Sequence, residues 1–199
     1  ALDESLLVLG EDIPDAVLRM LGKPVKAFAE QGGTVLMLRQ RENAGNVLPW
    51  KTTYTSRPGG VTIPLAPEHP VFEGLTAEDL RNRGDYELVF TRRMSPPAAG
   101  AARVLAGGVE RAAHLVEGVF GQGRFLSTTL ELTPASVARD PVPARLLANI
   151  VRYAETPLPE AKSTVIVGKP KMPLVRALDR RLGVDAPVKQ AVPEDLAEY

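Results

Sequence analysis

The order of apolar and polar positions predicts an α/β chain. "SLLVLGED" (5–12) is a short apolar run that ends in Gly and acidic residues, which is typical of a central parallel strand buried on both faces. A helical pattern follows over 13–33, which Pro24 is expected to interrupt and Gly32–Gly33 to end. Its apolar positions fall on two faces, one with Val17, Leu18 and Leu21 and one with Val25, Phe28 and Ala29. "TVLMLRQ" (34–40) is the next strand, so a right-handed βαβ unit is expected.

The middle of the chain predicts loops and short strands. Residues 41–60 are polar and read as a long loop, and 60–67 is an extended piece that Pro64 places at a sheet edge. Residues 69–86 predict a loop and a short helix with Thr76 at its N-cap. Several short strands follow, without long helices, in the stretches "ELVF", "ARVLAGG", "AAHLVEGVF" and "RFLSTTLEL".

The last third predicts a domain boundary. "DPVPARLLANIVRYAE" (140–155) is an amphipathic helix with Asp140 at its N-cap. Its apolar face consists of Leu146, Leu147, Ile150 and Val151. We predict a first domain over 1–155, a Pro-rich linker over 156–162 and the start of a second α/β repeat over 163–199. The first domain lacks its first strand in this interpretation, and 163–167 is a candidate to supply it.

Composition narrows the classes of function. The chain has 199 residues, with 24 basic and 24 acidic side chains, which argues against a nucleic-acid partner. No apolar segment reaches the length of a membrane span. There is no cysteine, so disulfides, thiolate zinc sites and cysteine nucleophiles are excluded. The opening "ALDES" and closing "PEDLAEY" are interpreted as the interior of a longer polypeptide, and the compartment stays open.

Five stretches have a recognisable order and spacing: "LLVLGED", "GGTVLMLRQ", "HPVFEGLTAEDLR", "GQGRFLSTTLEL" and "PVPARLLANIVRYA", which together cover roughly residues 5 to 154. This arrangement resembles the class I glutamine-amidotransferase-like fold. In particular, it resembles the non-catalytic versions in large bacterial glycoside hydrolases, such as the trimerisation domain of some β-galactosidases. The resemblance implies a flavodoxin-like, mostly parallel sheet with flanking helices and an additional β-rich segment.

The catalytic form of that family uses a cysteine on a sharp elbow, a His-x-Glu pair and a backbone oxyanion hole. Here the strand over 34–38 runs into Arg39, Gln40 and Arg41, which cannot attack an amide. Where the family carries its His-Pro-Glu, this chain carries Thr129, Leu130 and Glu131. We therefore predict no catalytic residue, no cofactor and no enzymatic activity. The isolated His69 and His114 lack acidic residues at ligand spacing, so no metal site is predicted.

The loop over 40–60 carries most of the candidate binding or interface residues, which are Trp50, Tyr54, Gln40 and Asn46, with the further candidate Arg39 directly before it. A flat aromatic side chain beside amides and a guanidinium suits a subunit contact or a sugar face. The alternative is that Trp50, the only tryptophan, packs the loop onto the domain. Glu131 is a further candidate, because it follows a strand at the carboxyl edge, which also includes Glu11 and Asp12.

These observations predict a structural module of a multidomain carbohydrate-active enzyme. Its partners would be neighbouring domains or further copies of itself, with no nucleic acid and no membrane. One alternative is a small-molecule or carbohydrate-binding module that uses the carboxyl edge of the sheet. The other is a divergent hydrolase with a hydroxyl nucleophile at Ser127, Thr128 or Thr129.

Overall fold

The computed structural model describes residues 5–41, 46–81, 90–98, 102–108 and 111–158. These residues belong to one compact unit, Ala1–Leu158. The elements, in chain order, are β1 (Leu6–Leu9), α1 (Asp15–Glu30), β2 (Thr34–Met37), β3 (Tyr54–Gly59), β4 (Ile63–Pro64), a 3₁₀ turn (Pro70–Phe72), β5 (Phe90–Met94), β6 (Arg103–Gly107), β7 (Ala113–Phe120), β8 (Gly123–Thr128), α2 (Pro134–Arg139) and α3 (Pro141–Glu155). The predicted domain start over 163–199 lies outside the described residues and stays a prediction.

The α/β class is confirmed. In the part of the chain that the structure describes, eight strands form one sheet. β1, β2 and β8 are parallel neighbours, whereas β8–β7, β7–β6, β7–β5, β5–β3 and β6–β4 are antiparallel pairs. The antiparallel strands are the predicted additional β-rich segment. No helix among the described residues is long and apolar enough to cross a membrane.

Each face of the sheet buries its own apolar cluster. Side chains alternate between the faces of a strand, so Val35 and Met37 of β2 pack in the cluster of α1, whereas Leu36 packs in the cluster of α3. All four residues of β2 are buried. This is the expected environment of a strand that is covered by helices on both faces.

The two long predicted helices are present as α1 and α3, with one correction in each half of the chain. Pro24 lies inside a single α1, and its buried residues Leu18, Val25 and Ala29 form one face instead of two. Packing of both halves of the helix on the same sheet offsets the lost hydrogen bond of Pro24. In α3, Asp140 Oδ1 accepts from Val142 N at 3.0 Å, as predicted for the N-cap. The preceding α2 was not predicted.

Two predictions about strands and one about a short helix also need correction. The strand within 5–12 is parallel, but β1 pairs only with β2 among the described residues and is half exposed, so it lies at an edge. The predicted loop over 41–60 contains β3. Residues 77–80 form turns although Thr76 and Asp79 exchange capping hydrogen bonds, with Thr76 N to Asp79 Oδ2 at 2.7 Å.

Candidate functional site

The carboxyl ends of the parallel strands meet at one edge of the sheet, which is where open α/β sheets bind ligands. We call the segments Gly10–Ile13 and Leu38–Arg41, which follow β1 and β2, the carboxyl edge. The structure brings the predicted candidates Arg39 and Gln40 together here with Glu11 and Asp12. These side chains of the carboxyl edge therefore lie close together, and their hydrogen bonds and ion pairs join the two loops.

Gln40 joins the two loops of the carboxyl edge. Its side chain is 1% exposed, and its Oε1 accepts from Ile13 N at 2.9 Å. Its Nε2 donates to Leu38 O at 2.9 Å and to Gly10 O. A buried amide with these three bonds has little capacity left for a ligand.

The charges of the carboxyl edge neutralise one another. Arg39 Nη2 lies 3.1 Å from Asp12 Oδ2 and 3.5 Å from Glu11 Oε2, and Arg41 Nε lies 3.4 Å from Asp12 Oδ2. Asp12 adopts a φ of 51°, and its N–H donates to Arg39 O at 3.0 Å. Among the described residues, Glu11 Oε1 and Asp12 Oδ1 are buried without a hydrogen-bond partner.

Trp50 packs the loop onto the domain, which is one of the two alternatives drawn from the sequence. The side chain is 3% exposed, and its ring lies edge-on to Phe125 at 6.3 Å between centroids. It also covers Gly118, where an added Cβ would lie 2.5 Å from Trp50 Cζ3. A ring with so little exposed surface has almost nothing to offer a partner or a sugar.

The other loop candidates are distributed differently. Tyr54 lies in the same apolar cluster as Trp50, and burial raises its pKa to about 12, an effect that the Ser127 hydroxyl partly offsets. Asn46 is exposed, and its backbone oxygen lies against Gly22 of α1. Glu131 is half buried and its backbone oxygen accepts from Ser136 Oγ at 2.9 Å.

The hydroxyl side chains at the end of β8 are all buried. Ser127 is 0%, Thr128 1% and Thr129 0% exposed. Thr128 Oγ1 donates to His114 O at 3.0 Å and accepts from Leu130 N at 3.1 Å, which are bonds to backbone atoms. A nucleophile must reach its substrate, and these positions are closed to solvent.

His114 is buried in the same region. Its Nδ1 lies 2.9 Å from Thr62 Oγ1, and its ring stacks on Phe90 at 3.9 Å. Burial, and then the charge of Arg93, lower the pKa of His114 to about 4. The imidazole is therefore neutral at physiological pH.

A second polar cluster, which we call the β7–α3 cluster, was not predicted. It consists of His69, Glu117, Arg124 and Tyr153. Glu117 accepts from Tyr153 Oη at 2.5 Å, and its other oxygen lies 3.4 Å from His69 Nε2. Arg124 Nε lies 3.7 Å from Glu117, and its guanidinium lies 4.2 Å from the Tyr153 ring centroid. Burial and the adjacent Glu117 raise the pKa of Tyr153 to about 12.

The contacts of the β7–α3 cluster indicate mainly a structural role. Arg124 is 1% exposed, and it donates to Tyr153 O at 3.1 Å and Thr156 O at 3.0 Å, which are carbonyls at the end of α3. These bonds tie the helix terminus to β8. Tyr153 O also accepts from Thr156 N at 3.1 Å, so the guanidinium is its second donor. Its four residues lie on four different elements, so no local sequence signal reveals it. His69 is the member that the sequence does single out, and its acidic partner Glu117 lies 48 positions later in the chain, where no ligand spacing reveals it.

Comparisons with known proteins concern the fold. No protein-family model matches the chain, and no curated protein matches it. The Salmonella typhimurium LT2 cytoplasmic protein STM1381 is similar in structure, with a TM-score of 0.57, 14% identity and coverage of 76% of this chain and 72% of that chain. The Salmonella typhimurium cytoplasmic protein STM3548 has a TM-score of 0.54, 19% identity and coverage of 75% and 71%. A cold-adapted β-galactosidase from Rahnella sp. R3 has a TM-score of 0.45, 12% identity and coverage of 78% of this chain but 24% of that enzyme.

Proposed function

We propose that this chain is a non-catalytic accessory module of a larger bacterial carbohydrate-active enzyme, with a structural role in packing against other protein surfaces. The observation that carries the proposal is the closed carboxyl edge. Gln40 uses its amide on Gly10, Ile13 and Leu38, where a ligand-binding α/β protein would leave a cleft. The carbohydrate-active parent rests on the resemblance of the five sequence stretches.

The buried hydroxyls support the non-catalytic part of the proposal. Ser127 and Thr128 end β8 and Thr129 follows it, where the resemblance places the catalytic family's histidine and glutamate, yet all three are closed to solvent. Thr128 is committed to backbone atoms. A divergent hydrolase would need one of these groups at the surface beside a base.

The assay for catalysis uses the full chain. We expect it to release no ammonia from glutamine and to cleave neither p-nitrophenyl acetate nor p-nitrophenyl β-galactoside faster than buffer. A rate above buffer that Ser127→Ala or Thr129→Val removes would overturn the proposal. Thr52→Val, which changes a hydroxyl outside the β8 end, is the matched control.

Self-association is measured by light scattering. Trp50→Ala is a poor probe because the ring is buried, so exposed apolar positions are better targets. Met20 is 69% and Val119 62% exposed. A multimer that Met20→Lys or Val119→Lys dissociates supports packing between copies. A monomer at all concentrations removes self-association and assigns the packing role to other domains.

A second candidate is a small polyhydroxyl ligand at the carboxyl edge. It is favoured by Glu11 Oε1 and Asp12 Oδ1, which are acceptors with unused capacity among the described residues. Sugar hydroxyls are suitable donors for such oxygens. A thermal-shift series with galactose, mannose and glucose tests this candidate. A stabilisation that Asp12→Asn removes and the exposed control Glu78→Gln keeps would favour binding over the structural role.

A further inference from the structure

The 3₁₀ turn Pro70–Phe72 is capped by a histidine. His69 is buried, and its Nδ1 accepts from Val71 N at 3.4 Å, where an N-cap usually offers a side-chain oxygen. A ring nitrogen that accepts a hydrogen bond carries no hydrogen, so the hydrogen of the neutral ring is on Nε2. Nε2 lies 3.4 Å from Glu117 Oε2. These two contacts therefore select one tautomer of His69.

Protonation of this ring removes the cap. The proton would be added at Nδ1, and the new N–H would point at the N–H of Val71, so the turn would lose its acceptor. The contact between Nε2 and Glu117 would become stronger, but it is already present in the neutral ring. Protonation thus exchanges a hydrogen bond of the turn for a charge in a buried position.

The charges around the ring decide how readily it takes up a proton. Among the described residues, the titratable and charged groups that face the ring are Glu117 of β7, Tyr153 of α3, Arg124 of β8, Arg103 of β6 and Glu68 of the preceding loop. Burial lowers the pKa of His69 below its ordinary value, and Arg103 and Arg124 act in the same direction, whereas Glu117 opposes them. The folded protein therefore resists protonation of the ring.

The turn that His69 caps is packed against α3. Val71 and Phe72 are buried in the apolar cluster beneath that helix. Asn149 Nδ2 of α3 donates to Val71 O at 3.2 Å and to Glu73 O at 2.9 Å. Phe72 N donates to His69 O at 2.9 Å, so the turn begins at the histidine itself. A change at the cap therefore acts on a segment that covers part of the core.

We propose that His69 is a proton-dependent switch for residues 69–75, which we call the capped segment. The neutral ring holds the capped segment on α3, and uptake of a proton at Nδ1 releases the segment from the helix. The released ring titrates near its ordinary pKa of 6.5, whereas the ring in the closed segment has a lower pKa. The closed form is therefore fully favoured above pH 6.5, and the released fraction rises as the pH decreases, by up to about tenfold for each pH unit.

Release of the capped segment would uncover apolar surface. Val71 is 0% and Phe72 3% exposed in the closed form, so both side chains are available to a partner only after release. The switch does not depend on the proposed accessory role, because it rests on the contacts of His69 and on the packing of the turn.

The competing explanation is that acid destabilises the whole domain, since the pKa of the other histidine, His114, is also lowered by burial. Hydrogen exchange separates the two effects. Local release lowers the protection of Phe72 N and of Leu75 N, which donates to Phe72 O at 2.9 Å. Global unfolding lowers the protection of Leu38 N as well, which donates to Leu9 O at 2.9 Å in the parallel part of the sheet.

Two measurements on the wild-type full chain test the switch. Long-range ¹H–¹⁵N spectra show which ring nitrogen carries the hydrogen, and the chain has 2 histidines, so two rings give signals. We expect the Nε2–H tautomer of His69 in the neutral protein. Hydrogen exchange is measured from about pH 7.5 to about pH 5 and corrected for the intrinsic exchange rate. The protection of Phe72 N and Leu75 N should fall by up to about tenfold per pH unit, and that of Leu38 N by less.

The variant His69→Asn keeps a capping oxygen and removes the titratable ring. The protection of Phe72 N and Leu75 N relative to Leu38 N should then no longer depend on pH. The matched control is His114→Gln, which removes the other buried histidine and should keep this dependence. Three results would overturn the proposal: a hydrogen on Nδ1 of His69 in the neutral wild type, an equal loss of protection at all three amides, or a dependence on pH that His69→Asn retains.

Discussion

Replacing Arg124 with methionine tests the role of the β7–α3 cluster. The substitution keeps much of the aliphatic volume and removes the charge and all donors. Arg124 loses its bonds to Tyr153 O and Thr156 O, at 3.1 and 3.0 Å, and its ion pair with Glu117. Thr156 O then loses the donor that Arg124 supplies, and Tyr153 O keeps only its bond from Thr156 N. Glu117 has a carboxylate that is only 15% exposed without its arginine.

The magnitude follows from these losses. A hydrogen bond from a charged donor contributes about 1.5–3 kcal/mol, and removal of one partner of a buried ion pair costs about 3–5 kcal/mol. The terms overlap, so we expect Arg124→Met to lower the free energy of unfolding by about 3–5 kcal/mol. Part of this loss comes from the Glu117 carboxylate, which stays buried without its arginine. Adding Glu117→Gln should therefore cost less in the Arg124→Met background than in the wild type, with a coupling of about 0.5–3 kcal/mol.

Urea unfolding followed by tryptophan fluorescence measures these effects. Trp50 is the only tryptophan and contacts Phe125, the neighbour of Arg124 in β8, so its emission reports on this region. The control is Arg152→Met, the same substitution in an exposed pair with Glu73, which should cost about 0–1 kcal/mol. Equal losses in the two variants, or strict additivity of Arg124→Met and Glu117→Gln, would refute the reasoning.

The remaining predictions concern the core, the carboxyl edge and a buried histidine. Trp50→Ala should lower the free energy of unfolding by about 3–5 kcal/mol in a urea titration followed by circular dichroism, with Trp50→Phe in between; an unchanged midpoint would contradict the packing role. Gly118→Ala should destabilise because its Cβ would lie 2.5 Å from Trp50 Cζ3, and the same penalty in the Trp50→Ala background would rule out this clash. Gln40→Ala, which leaves the partners of a buried amide unpaired, should cost about 1–3 kcal/mol, whereas wild-type stability would show that the amide is dispensable. The pKa of His114 falls from 6.5 to about 4 on folding, so the unfolded chain takes up this proton first. The contribution of His114 to the free energy of unfolding is therefore largest above pH 6.5 and falls by up to about 3 kcal/mol as the pH decreases to about 4. His114→Gln should flatten this part of the pH profile, and an unaltered slope would show that other groups cause the pH dependence.

The sequence predicted the elements whose local signals agree with their environment. β2 is apolar throughout and buried throughout, and α3 has both a capping Asp140 and an apolar face. β3 was missed because its residues are mostly polar, and only Tyr54 contributes to the core. The length of the predicted loop over 41–60 itself indicates a missed element, since structureless loops of that length are uncommon in compact domains.

The sites were less predictable than the elements. Arg39 and Gln40 were found because they follow a predicted strand, and the rule for parallel sheets then locates them. What their side chains bind was not predictable, since Gly10 and Ile13 belong to another loop. β3 does leave a trace in the sequence, because Thr53 and Thr55 alternate around Tyr54, but so short a pattern does not by itself predict a strand.

The pairing of β2 with β8 has a consequence during synthesis. Thr34 lies beside Arg124, about 90 positions later in the chain. At about 5–20 residues per second, the ribosome needs roughly 5 to 20 seconds between the two strands. For that time the apolar β2 has no neighbour on one side, and loop closure over this distance slows its capture further. The nascent chain therefore carries an unprotected strand edge, and its yield in cells should depend on holding chaperones more than on its final stability.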